Sequence, residues 1–293
     1  MKRIAFLTLH NPPGFVIDDE LAIAPLAERG YTVETIPWDR EGVNWADYSL
    51  AIIRSTWDYQ HHADKFLGTL ADIERRTRLE NPLDIVRWNI QKTYVRDLEQ
   101  SDVPVMHTLW RDGLRTGELE DAFDELGSDE AVIKPVMSGN AEGAFRLDRE
   151  RIATQGAEIE RYFAERPLML QPFQQSILSE GEYSLFYLNG EYSHCVQKVP
   201  KPGDYRVQEE HGGDIRAVPD PEDELLGAGA AAMAAIGVPL LYARADFVRC
   251  DDGVFRVMEL ELVEPALYLR MDPAAPARFA DAIVSRLAAR AAR

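Results

Sequence analysis

Residues 241–265, LYARADFVRCDDGVFRVMELELVEP, contain two alternating apolar and polar runs that flank Asp252 and Gly253. An Asp-Gly pair between such runs predicts an antiparallel hairpin closed by a two-residue type I′ turn. With that turn, Asp246 on the first strand lies opposite Glu259 on the second. The stretch therefore predicts a β-hairpin with facing carboxylates, and hence antiparallel sheet in the second half of the chain.

A third carboxylate falls on the same face of this predicted hairpin. Glu261 is two residues from Glu259, so both side chains project to the side on which Asp246 lies. Like charges across a ladder destabilise it unless a cation lies between them, and Arg244, opposite Glu261, can neutralise one of them. Oxygen ligands without His or Cys favour Mg²⁺ or Mn²⁺. The residues alone leave two interpretations open, a metal site and a solvated outer face.

The amino-terminal part of the chain has a different pattern. Apolar runs typical of buried strands alternate with segments that carry helix start and stop signals. The strands are predicted over 4–9, 31–36 and 50–54, and the helices over 18–29 and 65–76. This β-α-β alternation predicts a Rossmann-like α/β domain, a parallel sheet covered by helices.

The rest of the chain is predicted to be α+β. After a boundary near residues 81–82, a helix is predicted over 89–100 and a strand over 103–109. Short strands separated by turn signals are predicted over 131–134, 144–147, 168–173, 182–188, 191–199, 241–249 and 254–262. Helices over 151–166, 222–236 and 276–290 interrupt these antiparallel strands.

The charge balance excludes several classes of partner. The 293 residues include 32 Lys and Arg against 50 Asp and Glu, for a net charge of −18. A chain this acidic repels a nucleic-acid backbone and an anionic membrane surface, so we expect neither as a partner. Two cysteines cannot form a disulfide framework, and the first residues predict a strand rather than a secretion signal. These features favour a cytoplasmic protein.

Two lysines are candidates to face phosphate. Lys134 ends a predicted strand and precedes the small-residue loop 138–143, whose backbone N–H groups can approach phosphate oxygens. Lys92 stands near the start of a predicted helix. The alternatives are an ordinary hairpin loop and a surface lysine. Because the sequence contains neither GxxxxGK[ST] nor GxSxG, it favours neither a P-loop enzyme nor a serine hydrolase.

A second basic group stands out in an otherwise acidic chain. The segment 198–216 surrounds the flexible turn at Gly212 and Gly213, and its basic residues are Lys198, Lys201, Arg206 and Arg216. Such a segment can form a basic lid over a bound anion. The alternative is a solvated loop.

Together, these segments resemble the ATP-grasp superfamily, specifically its glutathione-synthetase-like branch. The similar segments occur in the family's order, at 132–147, 168–173, 198–213, 246 and 258–265. Residues 203–208 and 259–265 also resemble cyclo-ligases that close O-ureido-D-serine to D-cycloserine. The resemblance implies an ATP-grasp fold in which an amino-terminal domain, 1–85, precedes two α+β subdomains, 86–168 and 169–293, that clasp ATP.

The resemblance also implies roles for individual residues. Contacts with ATP are implied for Lys92, Lys134, Ser138, Gly139, Asn140, Gln171, Pro172 and Phe173, with Glu180 or Glu182 at the ribose. Mg²⁺, or Mn²⁺ in its place, is expected at Asp246, Glu259 and Glu261, and an oxyanion at Arg206 and Lys198. Substrate contacts are implied for Gly212, Gly213 and Glu264. Thr56, Trp57, Asp58 and Tyr59 depart from the glutathione synthetase pattern, but they end an early strand, where doubly wound sheets bind ligands, and are predicted to contact the substrate unless they form only a packing turn.

The resulting hypothesis is an ATP-dependent, ADP-forming carboxylate–amine ligase. It would act on an amino-acid-like substrate through an acylphosphate, either between two molecules or by closing a ring of the D-cycloserine type. The alternatives are a glutathione-synthetase-like peptide ligase, a non-catalytic nucleotide-binding module and a kinase. The resemblance also implies that the chain can form a homodimer.

Overall fold

The chain begins with a four-stranded parallel sheet in the computed structural model, which describes residues 2–10 and 14–291. The strands are β1 (Lys2–Thr8), β2 (Tyr31–Pro37), β3 (Leu50–Ser55) and β4 (Leu79–Glu80), in the order β2-β1-β3-β4. One face packs against α1 (Ile23–Glu28), and the other against α2 (Ala63–Arg76) and α3 (Leu83–Asn89). The predicted parallel α/β sheet is confirmed.

The helix predicted over 18–29 is divided into two parts. A 3₁₀ turn over Asp19–Ala22 precedes α1. In a continuous helix, Pro25 would need an N–H to bond the carbonyl of Leu21, and proline has none. Pro25 therefore lies in the first turn of α1, where the missing donor costs nothing.

The second sheet is antiparallel and has four strands. They are β5 (Leu109–Arg111), β6 (Glu130–Pro135), β7 (Phe145–Asp148) and β8 (Leu168–Pro172), in the order β5-β8-β6-β7. The helix α4 (Tyr94–Gln100) precedes it, and α5 (Glu118–Leu126) and α6 (Arg149–Tyr162) pack on it. Because β8 pairs with β5 and β6, the boundary predicted between residues 168 and 169 would cut through a strand of this sheet.

Two predictions for the segment that leads into this sheet are wrong. The helix predicted over 89–100 is broken between α3 and α4, where Lys92 N donates to the carbonyl of Val136 (2.8 Å) and not to a helical carbonyl. The strand predicted over 103–109 is an extended segment with one isolated parallel bridge, between Val105 and Val257, and it joins the β5 ladder only at Leu109. Pro104 has no N–H to donate, but its carbonyl accepts from Val257 N (2.9 Å).

The third sheet has five antiparallel strands. They are β9 (Glu182–Leu188), β10 (Glu191–Val199), β11 (Asp214–Ala217), β12 (Tyr242–Arg249) and β13 (Phe255–Glu261), in the order β11-β10-β9-β12-β13. Its helices are α7 (Ser176–Ser179), α8 (Asp223–Ile236) and α9 (Ala275–Ala291). Phe279 of α9 shares one core with Phe6 of β1 and Phe186 of β9, so the last helix ties the first sheet to the third. Within residues 2–10 and 14–291, no helix has the length and apolar content for a membrane span.

The turn of the β12–β13 hairpin differs from the prediction. Cys250 N donates to the carbonyl of Val254 (3.0 Å), so the loop has three residues instead of two. Gly253 in this loop has a φ of +79°, which a residue with a side chain adopts only at a cost. The extra loop residue shifts the pairing near the turn, and Arg249 lies opposite Phe255.

The predicted pairing nevertheless holds at the other end of the hairpin. A bulge between Asp246 and Phe247 leaves Met258 without an opposite residue and shifts the ladder back by one. Asp246 therefore pairs with Glu259, as predicted. The turn and the bulge displace the register in opposite directions, and the carboxylates meet because the two shifts cancel.

Candidate active site

A cavity of about 240 Å³ receives residues from all three sheets or the segments beside them. Trp57 follows β3, Lys134 lies on β6 and Gln171 on β8. Asp246 and Glu259 lie on β12 and β13. The fold thus places the predicted phosphate, metal and substrate residues around one space.

Most residues predicted to bind ligands line this cavity. They are Trp57, Tyr59, Lys92, Lys134, Ser138, Gly139, Asn140, Gln171, Pro172, Phe173, Glu182, Lys198, Arg206, Asp246, Glu259, Glu261 and Glu264. The lining does not include Thr56, Asp58, Glu180, Gly212 and Gly213. Asp246 is only 2% exposed, so the hairpin face is an inner wall and not a solvated surface.

Glu259 is the carboxylate at which the two candidate phosphate-facing lysines meet. Its Oε1 lies 2.9 Å from Nζ of Lys134 and 3.5 Å from Nζ of Lys92. Lys92 also donates to the carbonyl of Ser138 (3.0 Å) in the small-residue loop. Burial alone would raise the pKa of Glu259, but the two lysines hold it well below its usual value. Glu259 is therefore ionised and keeps two ammonium groups side by side at the cavity wall.

Asp246 and Glu261 share the guanidinium of Arg244. Arg244 bonds both oxygens of Asp246 at 3.0 to 3.1 Å and also contacts Glu261. Lys198 Nζ lies 2.6 Å from Oε1 of Glu182 and 3.4 Å from Oδ1 of Asp246. Burial, together with Asp246, raises the pKa of Glu182 to about 7 against the attraction of Lys198. Each of these carboxylates is thus already paired with a cation of the protein.

The predicted metal ligands suit Mg²⁺ in chemistry but only in part by position. Carboxylate oxygens are the ligands that Mg²⁺ takes from proteins. Among the residues that the structure describes, no three acidic, His or Cys side chains lie close enough to hold one ion. Arg244, Lys198 and Ser184 occupy the carboxylate of Asp246. Glu259 and Glu261 contact their cations through Oε1, so these two are better placed to receive a metal.

An apolar slot forms the end of the cavity at β8. The ring of Phe173 stands edge-on to Tyr205, with centroids 6.2 Å apart, and the guanidinium of Arg146 lies 3.8 Å from its centroid. Gln171 donates from its side chain to the hydroxyl of Thr108 (3.0 Å). The slot belongs to an apolar cluster that includes Met106, Val132, Ile177, Val207 and Met258. Its walls suit a flat, largely apolar group such as a nucleobase.

The basic segment 198–216 folds over the cavity and contacts the small-residue loop, where Nε2 of His211 lies 3.2 Å from the carbonyl oxygen of Asn140. The hydroxyl of Tyr205 donates to the carbonyl of Ala144 (3.0 Å), just after the loop. Arg206 lines the cavity, and its Nε and Nη2 are 3.0 Å and 2.8 Å from the carboxylate of Asp204. The segment has the position of the predicted lid, and Arg206 must exchange Asp204 for any anion that it binds.

Aromatic side chains and one acid form the end of the cavity near β3. The rings of Trp57 and Phe15 are 5.0 Å apart, and Trp57 Nε1 donates to the backbone carbonyl of Glu264 (2.9 Å). The hydroxyl of Tyr59 lies beside the carboxyl of Glu264. This end offers a small, partly apolar subsite with a single carboxyl group.

Three predicted ligand-binding residues that carry side chains lie outside the cavity lining. Asp58 accepts a hydrogen bond from Trp38 Nε1 (2.8 Å), and Thr56 is fully buried. Glu180 lies 3.0 Å from Nε of Arg249. Of the two candidates for the ribose, only Glu182 faces the cavity.

Gly212 and Gly213 shape the lid and do not line the cavity. A Cβ on Gly213 would lie 2.0 Å from the backbone oxygen of Val207, so the absence of a side chain lets the lid close on itself. We predict that Gly213→Ala displaces the lid and lowers kcat/KM for ADP formation by about 10- to 100-fold. The control is Gly227→Ala in α8, where the backbone is helical and a Cβ meets no atom within 4 Å. Equal losses in the two variants would contradict this role.

Some cavity residues were not predicted. Arg244 is expected from the sequence only to neutralise a carboxylate, yet it lines the cavity together with Phe15, Gln60, Tyr205, Gln208 and Tyr268. Two signals were available for part of this set. Phe15 follows the first parallel strand, at the edge where such sheets bind ligands. Tyr205 precedes the predicted Arg206.

A parallel-sheet domain and two antiparallel sheets around one cavity form the architecture of ATP-grasp ligases. The crystal structure of D-cycloserine synthetase DcsG matches with a TM-score of 0.86 at 28% identity, over 97% of this chain and 99% of that chain. The ATP-grasp ligase PsnB, solved with its minimal precursor, Mg and ADP, matches with a TM-score of 0.65 at 15% identity, over 97% and 98% of the two chains. The second match shows a shared fold.

Sequence comparison leads to the same family. Residues 4–81 match the family model of the D-cycloserine synthetase DcsG N-terminal domain. Cycloserine biosynthesis protein DcsG of Streptomyces lavendulae is 30% identical over 273 residues, which are 88% of this chain and 90% of that protein. This chain belongs to the DcsG family of ATP-grasp ligases. The predicted superfamily, fold class and enzyme class, an ATP-dependent carboxylate–amine ligase, are confirmed, and ATP and Mg²⁺ are supported in general terms.

Proposed function

We propose that this chain closes a substrate of the O-ureido-D-serine type to a ring of the D-cycloserine type, with formation of ADP. The similarity to DcsG supports this proposal, because it extends over 88% of this chain. The observation that carries the proposal is the single cavity, in which lysine-bound Glu259 and the aromatic subsite of Glu264 face the same space. A ligase that joins two groups of one small molecule needs both within reach of the phosphates.

The nucleotide is proposed to lie between the second and third sheets. Lys92 and Lys134 would bind its phosphates, assisted by the loop residues Ser138, Gly139 and Asn140. The apolar slot at Gln171, Pro172 and Phe173 would receive adenine, and Glu182 the ribose. The contacts of both lysines with Glu259 support this assignment, since they hold the two side chains together at the cavity wall.

Glu259 and Glu261 are the proposed ligands of Mg²⁺, with Mn²⁺ as a substitute. Bound there, the metal would neutralise phosphate oxygens during phosphoryl transfer. Asp246 would act chiefly through Arg244, which it holds by both of its oxygens. The two glutamates also position the cations around them, because each contacts at least one with its Oε1.

Two transfers are proposed to follow. The substrate carboxylate attacks the γ-phosphorus of ATP, so that an acylphosphate forms and ADP leaves. The oxygen-bound nitrogen of the same molecule then attacks the acyl carbon and phosphate leaves, and hydrolysis of the carbamoyl group on that nitrogen releases CO2 and NH3. Arg206 of the lid and buried Arg244 would supply positive charge for the oxyanion, assisted by Lys198. No protein nucleophile is required.

An end-point assay with O-ureido-D-serine, ATP and Mg²⁺ tests the proposal. We expect ADP and D-cycloserine in equal amounts, measured by a coupled assay and by mass spectrometry. ADP with an amide between two molecules would indicate a peptide ligase, and a stable phosphoester would indicate a kinase. Binding of ATP without any ADP would indicate a nucleotide-binding module. The cytoplasmic location and the homodimer stay predictions.

A further inference from the structure

Glu264 differs from the other half-buried and buried acids of the cavity. Every other acid that lines the cavity without being exposed, among the described residues, has a basic partner. The pairs are Glu182–Lys198, Glu209–Arg270, Asp246–Arg244, Glu259–Lys134 and Glu261–Arg244. Glu264 forms no ion pair, and its Oε2 is buried without a hydrogen-bond partner. An unpartnered buried carboxyl oxygen is costly, so its retention points to a ligand.

The backbone that carries Glu264 is fixed by residues at the end of β3. Trp57 donates from Nε1 to the carbonyl of Glu264 (2.9 Å), and Arg54 donates from Nη2 to the carbonyl of Pro265 (2.8 Å). Arg54 is itself 1% exposed and paired with Asp19. Glu264 is therefore held at the aromatic end of the cavity and cannot easily move to a distant cation.

When Glu264 is ionised, its Oε2 lacks a hydrogen-bond donor, because the Tyr59 hydroxyl lies beside the carboxyl without bonding this oxygen. Gln208 of the lid also lines the cavity with an unpartnered buried acceptor, its Oε1, so two acceptors await N–H or O–H groups. Burial, with the nearby charge of Glu261, raises the pKa of Glu264 to about 8. The free cavity thus favours the uncharged acid, and a bound cation would supply the charge that stabilises the carboxylate.

We propose that Glu264 binds the α-ammonium group of the amino-acid substrate, and that the enzyme therefore requires a free amino group beside the reacting carboxylate. This inference rests on the proposed function and names the group by which its substrate is recognised. Lys92 and Arg244 line the same cavity as Glu264, so the phosphate end and this subsite share one space. A small α-amino acid could therefore place its ammonium at Glu264 and its carboxylate toward those cations.

The test compares amino acids with analogues that lack only the amino group. ADP formation is measured with O-ureido-D-serine against 3-(ureidooxy)propanoic acid, and with D-serine against 3-hydroxypropanoic acid. The wild type should prefer the amino compound by about 100-fold in kcat/KM. Glu264→Gln should reduce that preference by about 30-fold or more, because kcat/KM should fall for the amino compound alone. The KM for ATP should change by less than about twofold.

The matched control is Glu210→Gln, the same loss of charge at an exposed acid on the rim of the cavity. It should keep the full preference for the amino compound. A wild type that accepts both compounds equally would overturn the inference, as would a Glu264→Gln variant that loses both in equal proportion. If the serine pair supports ADP formation with the expected preference but O-ureido-D-serine does not, the proposed function fails and the inference stands. No ADP with any of the four compounds would overturn both.

Discussion

Glu259→Gln is expected to lower the rate of ADP formation by about 1,000-fold or more, while the protein stays folded. Glutamine keeps the shape of the side chain and an oxygen that can accept from Lys134, now 2.9 Å away. It loses the charge that holds Lys134 and Lys92 together and that makes Glu259 a metal ligand. The measurement is kcat for ADP release, with thermal unfolding to verify the fold.

The control for this variant is Glu120→Gln, an exposed position on α5 that changes the net charge by the same amount. It should retain wild-type turnover. Turnover by Glu259→Gln within a few fold of the wild type would remove Glu259 from the metal and phosphate site.

Arg244→Leu is expected to unfold more easily than any surface variant, with a loss of about 3–5 kcal/mol in the free energy of unfolding. The substitution leaves the carboxylate of Asp246, which is 2% exposed, without its main cation. Glu261 loses its partner too, but it is partly open to solvent. Activity should fall below detection, because the proposed oxyanion site loses its buried guanidinium. Urea unfolding of the folded fraction measures the first effect.

The double variant Arg244→Leu/Asp246→Leu separates stability from chemistry. It removes both charges, and Lys198 keeps Glu182 at 2.6 Å, so at least half of the lost stability should return while activity stays absent. Arg256→Leu is the control, because its pair with Asp252 lies at the exposed end of the same hairpin and should cost less than about 1 kcal/mol. If Arg244→Leu were as stable as Arg256→Leu, this would contradict the importance of the buried pair of Arg244 and Asp246 for stability.

The pairing of Asp246 with Glu259 was predictable from the sequence, but the turn and the bulge that produce it were not. Alternation of apolar and polar residues assigns Asp246, Glu259 and Glu261 to one face, and that assignment survives small errors at the turn. The Asp-Gly pair predicts a two-residue loop, but the preceding Asp251 enters the loop as well. A bulge near Met258 then restores the register, and no local signal in the sequence indicates it.

The position of Lys198 beside Asp246 depends on contacts between segments that are far apart in the sequence. Lys198 on β10 reaches Asp246 on β12 across a single intervening strand, β9. The order of strands in a sheet cannot be predicted from the residue spacing within one hairpin. The sequence predicts that the three carboxylates bind one metal, with Arg244 neutralising one of them, whereas Arg244 and Lys198 both occupy Asp246. The subsite of Glu264 likewise requires the approach of residues 57–59 from the first sheet.

The metal dependence of nucleotide binding tests the central claim most directly. Titration calorimetry would measure the affinity of a non-hydrolysable ATP analogue in Mg²⁺ and in EDTA, for the wild type and Glu259→Gln. In the free protein, Glu259 competes with phosphate for Lys92 and Lys134, so Mg²⁺ should raise the wild-type affinity by about tenfold or more. The gain should be absent in the variant. Equal wild-type affinity in Mg²⁺ and in EDTA would contradict the account.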